Sequence, residues 1–131
     1  MNKGFLVGRV SKELFIRDNQ DGSKKVYMSV AVNKPFKNKE GKREADFIQV
    51  EGFIKAGATN TVYDYIKKGL LIEVEYTLHS VSYKNAKGET EYKQIARVAN
   101  IQLLESAKIE IKVFHNGRPF LFTHPTLQIQ S

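Results

Sequence analysis

The chain has 131 residues, 41% hydrophobic and 27% charged, which suits a single domain with a modest core. Its net charge of +7 and pI near 9.6 favour an anionic partner, whether nucleic acid, an acidic protein or a membrane surface. The absence of cysteine excludes disulfides, thiolate metal sites and a cysteine nucleophile, and suits a reducing cytoplasm. No apolar run is long enough to span a bilayer, and the N-terminus lacks the pattern of a signal peptide.

Alternating apolar residues in the first third of the chain predict two strands, over residues 3–14 and 26–34. Gly8 is expected to mark a bulge or bend in the first strand. Residues 17–25 between the strands predict a polar turn. Pro35 is expected to end the second strand because proline has no N–H to donate to a ladder. The inward face of that strand is predicted to carry Val26, Met28, Val30 and Val32.

A basic loop over residues 36–43 leads to the stretch 46–55, which has two different faces. Alternation places Ile48, Val50 and Gly52 on one face and Phe47, Gln49, Glu51 and Phe53 on the other. A sheet face with aromatic rings beside cations suits unpaired nucleic-acid bases. The alternative is that both phenylalanines belong to the core, where aromatic residues are also common.

The remaining elements predict an all-β fold. A short helix is expected over residues 60–68, with Val62 and Ile66 at helical spacing. A long strand over 70–83, a second basic loop and a last core strand over 92–104 follow. Five strands with one helix between the third and fourth match the element order of the OB-fold, a small Greek-key barrel.

Several segments then resemble one family in order and spacing, although none is diagnostic alone. They are Leu6-Val7-Gly8-Arg9-Val10, Ser29-Val30-Ala31-Val32-Asn33, Gly41-Lys42-Arg43-Glu44-Ala45-Asp46-Phe47-Ile48, Tyr65-Ile66-Lys67-Lys68-Gly69 and Ser82-Tyr83-Lys84-Asn85. Over about residues 3–105 the chain resembles the bacterial and phage single-stranded DNA-binding proteins.

The resemblance implies that bases stack on aromatic side chains and that nearby cations contact phosphates. The family's stacking positions fall on Phe36, Phe47, Phe53 and Tyr83. Phosphate contacts are expected from Lys34, Lys37, Lys55, Lys84, Arg43 and Lys68. The alternative for each cation is a side chain that is merely solvated.

The resemblance also implies a function: binding and protecting single-stranded DNA with little sequence preference during replication, recombination or repair. It implies a homo-oligomer, usually a tetramer, in the bacterial cytoplasm or nucleoid or in a phage-infected host. Two alternatives are an RNA-binding OB-fold and an OB-fold that docks proteins in a replication complex. No enzyme, metal site or other cofactor is expected, because the three histidines are far apart and no Walker loop is present.

Three features depart from the family pattern. The segment after Phe53 is about two residues longer, and Tyr76 and Val81 stand where many relatives carry glycine and arginine. The chain also lacks the acidic, proline-containing tip through which cellular relatives recruit other proteins, so that mode of recruitment is not expected.

Residues 106–131 are predicted to form an extension beyond a DNA-binding domain of residues 1–105. Residues 108–114 alternate strictly, Asn116-Gly117 favours a hairpin turn, and residues 120–122 suit a return strand. We expect this hairpin to add to a sheet edge or a subunit interface. The alternatives are an apolar-rich segment without fixed structure, or sequence foreign to the protein.

Overall fold

The computed structural model describes residues 1–105, together with the backbone of residues 109–115 and 118–124. The elements in chain order are β1 Gly4–Val10, β2 Phe15–Asp18, β3 Lys24–Lys37, β4 Arg43–Ile54, a 3₁₀ helix Val62–Tyr65, β5 Leu71–Lys84, β6 Thr90–Leu103, β7 Ile109–His115 and β8 Arg118–His124. No helix in the described part of the chain is long and apolar enough to cross a bilayer.

Five of these strands close into a barrel. Neighbouring strands bond in the order β1, β5, β6, β4, β3, and a short pairing of β1 with β3 closes the ring at Arg9–Ala31 and Val10–Val30. All pairs are antiparallel except β4 with β6. This arrangement confirms the predicted OB-fold barrel.

The barrel interior is aliphatic, as the alternation predicted. Val26, Met28 and Val30 of β3 are buried, and Val32 packs against them half-buried. The other walls contribute Val10, Val50, Ile72, Val74, Ile101 and Leu103. Because these residues lie every second position on their strands, the opposite faces of the same strands are left for solvent or a ligand.

β2 is an additional short strand that the sequence did not indicate. Residues 17–25 were predicted as a polar turn, but Phe15–Asp18 pairs with the start of β3, and the turn is confined to residues 19–23. Within that turn the Asp21 carboxylate accepts hydrogen bonds from the backbone N–H and hydroxyl of Ser23, at 2.9 and 2.6 Å. This local bonding holds a tight turn, so β3 starts at Lys24, two residues earlier than predicted, and β2 can pair with it.

The prediction that Pro35 ends the second strand was wrong. β3 continues to Lys37, and its register with β4 shifts between Asn33 and Lys37. This shift marks a bulge or a similar irregularity in the hydrogen-bond ladder. Bulges are among the positions at which a strand tolerates proline, which has no backbone N–H to donate. Phe36 is therefore part of β3 and lies in the β3–β4 hairpin.

The predicted helix over residues 60–68 is only a 3₁₀ helix of four residues, Val62–Tyr65. The chain enters from Asn60 with a φ of 56° and leaves through an extended Ile66. A single turn flanked by non-helical residues is too short to develop an α-helix. The spacing of Val62 and Ile66 nevertheless indicated their role correctly, because both are buried in the barrel core.

Gly8 does not form the expected bulge. It lies in regular register opposite Ile72, and a Cβ at this position would overlap the backbone carbonyl of Ala31 on β3. The residue therefore permits the close approach of β1 and β3 at the place where the ring closes.

The C-terminal strands pair with each other. β7 and β8 form an antiparallel ladder from Ile109 opposite His124 to His115 opposite Arg118. In the described backbone this is a separate two-stranded sheet, and neither strand extends an edge of the barrel. A role for the hairpin at a subunit interface stays a prediction.

Candidate nucleic-acid interface

The outer face of β3 and β4 displays the two phenylalanines on which the site prediction rests. Val50 between them points inward and is buried, whereas Phe47 and Phe53 are 64% and 60% exposed. Cross-strand register places Phe47 opposite Ala31 and Phe53 opposite Lys25. The alternative that both rings belong to the core is therefore wrong, and each ring has a free surface on which a base can stack.

The β3–β4 hairpin ends in a basic turn organised by Asn38. The Asn38 side-chain oxygen accepts hydrogen bonds from the backbone N–H groups of Glu40 and Lys42, at 3.0 and 2.9 Å. Gly41 has a φ of 78°, in the left-handed region that favours glycine. Phe36 is exposed just before this turn.

The β5–β6 hairpin repeats the same turn. Asn85 accepts from the backbone N–H groups of Lys87 and Glu89, at 2.9 and 3.0 Å, and Gly88 has a φ of 79°. Both loops therefore derive a fixed shape from an asparagine and a glycine three residues apart. Their cations are presented on ordered turns.

Tyr83 lies at the base of this second hairpin and is held by Glu91. The tyrosine hydroxyl donates to the Glu91 carboxylate at 2.6 Å, and Asn85 donates to its other oxygen at 2.8 Å. The shared hydrogen bond raises the pKa of Tyr83 and lowers the pKa of Glu91. The ammonium of Lys93 lies 5.9 Å from the centroid of the Tyr83 ring, a cation–π distance.

The parallel pairing of β4 with β6 brings the two hairpins together. Because Val50 lies opposite Ala96 and Glu51 opposite Arg97, both strands start at the same end of the barrel. Phe36, Phe47 and Tyr83 accordingly lie toward that end. Phe53 is six residues farther along β4 than Phe47, or about 20 Å at the usual rise of a strand.

The predicted phosphate-binding cations differ in their surroundings. Lys34 faces two carboxylates, with its ammonium 3.5 Å from Glu44 and 3.7 Å from Asp46. Lys37 and Arg43 stand opposite each other at the base of the first turn, and both are exposed.

Two of the other three cations lie at the ends of strands. Lys84 ends β5, Lys55 directly follows β4, and both are exposed. Lys68 is separate from these groups. It precedes Gly69, which donates to the Val10 carbonyl, so Lys68 stands beside the end of β1.

A charged cavity next to Phe53 was missed from the sequence. It has a volume of about 290 Å³, and its lining includes Lys25, Glu51 and Arg97 as well as Phe53. The ammonium of Lys25 lies 3.4 Å from the Glu51 carboxylate. The alternation of β4 indicated that Glu51 shares a face with Phe53, but nothing local indicated that Arg97 of β6 would stand beside it.

The inner side of β4 supports Phe53 through Gly52 and Tyr63. A Cβ at Gly52 would overlap the Tyr63 phenol, so the glycine makes room for that ring under the strand. Burial raises the pKa of Tyr63 to about 12, while a backbone hydrogen bond at Phe53 acts in the opposite direction. The phenol therefore stays neutral and packed at physiological pH.

We expect Tyr63 to make the barrel sensitive to alkali. Its folded-state pKa of about 12 exceeds the ordinary value of 10.0, so its stabilising contribution is complete below pH 10 and is lost as the pH rises toward 12. Urea unfolding at stepwise increasing pH measures the loss, and Tyr63→Phe should show a shallower decline. An equal decline in both proteins would contradict the assignment.

Comparison with known proteins identifies the family to which the chain belongs. The model of the single-strand binding protein family matches residues 1–104. Single-stranded DNA-binding protein 1 of Staphylococcus aureus is 35% identical over 105 residues, covering 80% of this chain and 66% of that protein. The Enterococcus faecalis single-stranded DNA-binding protein is 36% identical over 106 residues, covering 81% of this chain and 55% of its own length. The chain thus spans less than two thirds of either relative.

A solved structure shows the same fold. The Plasmodium falciparum SSB complex with ssDNA superposes with a TM-score of 0.60 at 18% identity, covering 80% of this chain and 96% of that one. At that identity the likeness concerns the barrel alone. The family match over residues 1–104 shows that the chain belongs to the single-strand binding protein family.

Proposed function

We propose that this protein binds single-stranded DNA with little sequence preference and keeps it unpaired and protected during replication, recombination or repair. One observation carries the proposal: β4 buries Val50 on one side and exposes Phe47 and Phe53 on the other, beside basic loops. The relatives from Staphylococcus aureus and Enterococcus faecalis are single-stranded DNA-binding proteins by name, which supports the same ligand.

The chemistry of this face suits a single strand better than a duplex. Aromatic rings can stack only on bases that are unpaired, and stacking tolerates any base because each has a π-face. Cations at the hairpin turns neutralise phosphates and release counterions, which adds affinity without reading the sequence. The net charge of +7 agrees with an anionic partner.

The proposed contacts fall into two sets, one to the bases and one to the phosphates of the DNA. Phe36, Phe47, Phe53 and Tyr83 would stack on bases. Lys37, Arg43, Lys55 and Lys84 would contact phosphates. Lys34 would have to exchange its carboxylate partners for a phosphate, and Lys68 would act only if the strand reaches the end of β1.

We further propose that the protein acts as a homo-oligomer, a tetramer in the family pattern, and that it acts as a binding protein without catalysis or cofactor. One barrel offers a short site of about 4–16 nucleotides, so wrapping a longer strand needs several barrels. A mass measurement of the free protein tests this assembly.

Titration with oligo(dT) tests the function. We expect tight binding to oligo(dT), far weaker binding to duplex DNA of equal length, and an affinity that falls steeply with salt. Intrinsic tyrosine fluorescence reports the binding, since the chain has six tyrosines and no tryptophan. Equal affinity for duplex and single strand, or indifference to salt, would contradict the proposal.

Competition separates the two alternative functions from the proposed one. Preference for poly(U) over poly(dT) would indicate an RNA-binding OB-fold that contacts 2′-hydroxyls. Failure to bind either polymer would favour a protein-docking role.

A further inference from the structure

We propose that the DNA path continues past Phe53 across β3 and onto β2, where Phe15 stacks on a further base. This inference rests on the proposed function and extends its site to a strand that carries none of the predicted contacts.

Strand register aligns β2 with the aromatic face of β4. Phe15 lies opposite Tyr27 of β3, and Tyr27 lies opposite Glu51 of β4. Residues directly opposite each other point to the same side of a sheet. Phe15 and Tyr27 therefore share the outer face with Phe53, which lies one outward position beyond Glu51.

The Phe15 ring is held in place but is open to solvent. Its centroid lies 5.9 Å from that of Tyr27, with the two planes tilted by 43°, and Phe15 remains 64% exposed. Contact with Tyr27 restricts the ring on one side and leaves other ring surface accessible. A ring already restricted loses little side-chain entropy when a base stacks on it.

Phe15 contributes little to the core, and this makes a purely structural role a weak explanation for it. β2 has four residues, all exposed, and within the described chain it pairs with β3 alone. A ring left 64% exposed buries only a minor part of its apolar surface.

Charge along the same path suits a phosphate backbone. Arg17 of β2 lies opposite Lys25, and Lys25 lies opposite Phe53, so one row across the sheet carries two cations and a ring. In the neighbouring row Arg97 of β6 lies opposite Glu51. These two rows therefore carry three cations and one carboxylate, and Glu51 is already 3.4 Å from the ammonium of Lys25.

The distance fits the continuation of a bound strand. β2 lies two strand spacings from β4, or about 10 Å. At the stacked spacing of about 3.4 Å per nucleotide this step takes about three nucleotides, and fewer in an extended strand. When one base stacks on Phe53, a base a few nucleotides farther along the same strand can therefore reach Phe15.

A tryptophan reporter tests the contact directly, because the chain contains no tryptophan of its own. Phe15→Trp should be quenched when saturating oligo(dT) is added, since the indole would stack on a base. Ile16→Trp is the matched control, because the Ile16 side chain follows Phe15 in the strand, points to the opposite face and is 43% exposed. Its emission should change little. Unquenched emission from Phe15→Trp at saturation would overturn the proposal.

Oligonucleotide length gives a second test. Phe15→Ala should weaken binding of long oligo(dT) about five- to 150-fold, the equivalent of about 1–3 kcal/mol for one stacked base. An oligonucleotide just long enough to cover Phe47 and Phe53 should bind this variant and wild type equally. Ile16→Ala should bind both lengths as wild type does, and melting curves should show that each variant is folded.

The outcomes separate this inference from the proposed function. If wild type binds oligo(dT) tightly but Phe15→Ala binds every length as wild type does, the extension is wrong and the function stands. If wild type itself fails to prefer single strands, the function is wrong and the extension falls with it. An equal loss in Phe15→Ala and Ile16→Ala would mean that β2 matters only as a strand, which also overturns the proposed contact.

Discussion

Replacing Phe47 and Phe53 together with alanine is expected to weaken oligo(dT) binding by about 2–6 kcal/mol, at about 1–3 kcal/mol for each stacked base. Both rings are exposed on the outer face of β4, so their removal deletes stacking surface while the core is untouched. The slope of log affinity against log salt should hardly change, because no phosphate contact is lost. Titration at several salt concentrations measures both quantities.

Two controls distinguish stacking from charge. Gln49→Ala alters the same face between the rings and should leave affinity nearly unchanged. Lys37→Ala should weaken binding less than the double variant does but reduce the salt slope by about 1, as expected for one lost phosphate contact. Wild-type affinity in the double phenylalanine variant would contradict the stacking site, and a flattened slope would assign those rings an indirect role.

Truncating Ile72 to alanine is expected to lower the free energy of unfolding by about 2–5 kcal/mol. Ile72 is 0% exposed in β5, between Gly8 of β1 and Leu103 of β6, so the cavity would open where three barrel strands meet. Urea denaturation measures the loss. DNA affinity of the folded fraction should be preserved, since Ile72 faces away from the site.

Leu78→Ala is the matched control for the core variant. It lies on the same strand, six residues away, but it is 44% exposed. Because less apolar surface is lost and no closed cavity forms, the destabilisation should be much smaller. Equal losses in the two variants would show that the barrel interior is not packed as described.

The two faces of β4 could be predicted from the sequence because side-chain direction in a strand alternates locally. Placing Val50 on one face and Phe47 and Phe53 on the other needed no knowledge of the partner strands, whereas the barrel decided that the two rings are exposed. The order of the predicted elements likewise indicated an OB-fold barrel. The assignment of bases and phosphates to particular residues came from family resemblance, and it stays a prediction until binding is measured.

Other features had no local signal or a misleading one. Four residues at Phe15–Asp18 are too short for periodicity to distinguish a strand from a turn. Pro35 is an ordinary strand terminator, but an irregular register allowed β3 to pass through it. Helical spacing at residues 60–68 correctly indicated that Val62 and Ile66 are buried, yet only one 3₁₀ turn forms there.

By itself, then, the sequence determined the strand faces, the shape of the two basic turns and the aliphatic core, because each depends on residues close together in the chain. Only the tertiary structure decided which of these features meet. The parallel contact of β4 with β6 brings both basic turns to one end of the barrel and sets Arg97 beside Glu51. The pairing of β2 with β3 places Phe15 on the face of Phe53. Such contacts depend on register between distant segments, which the packing of the whole barrel selects.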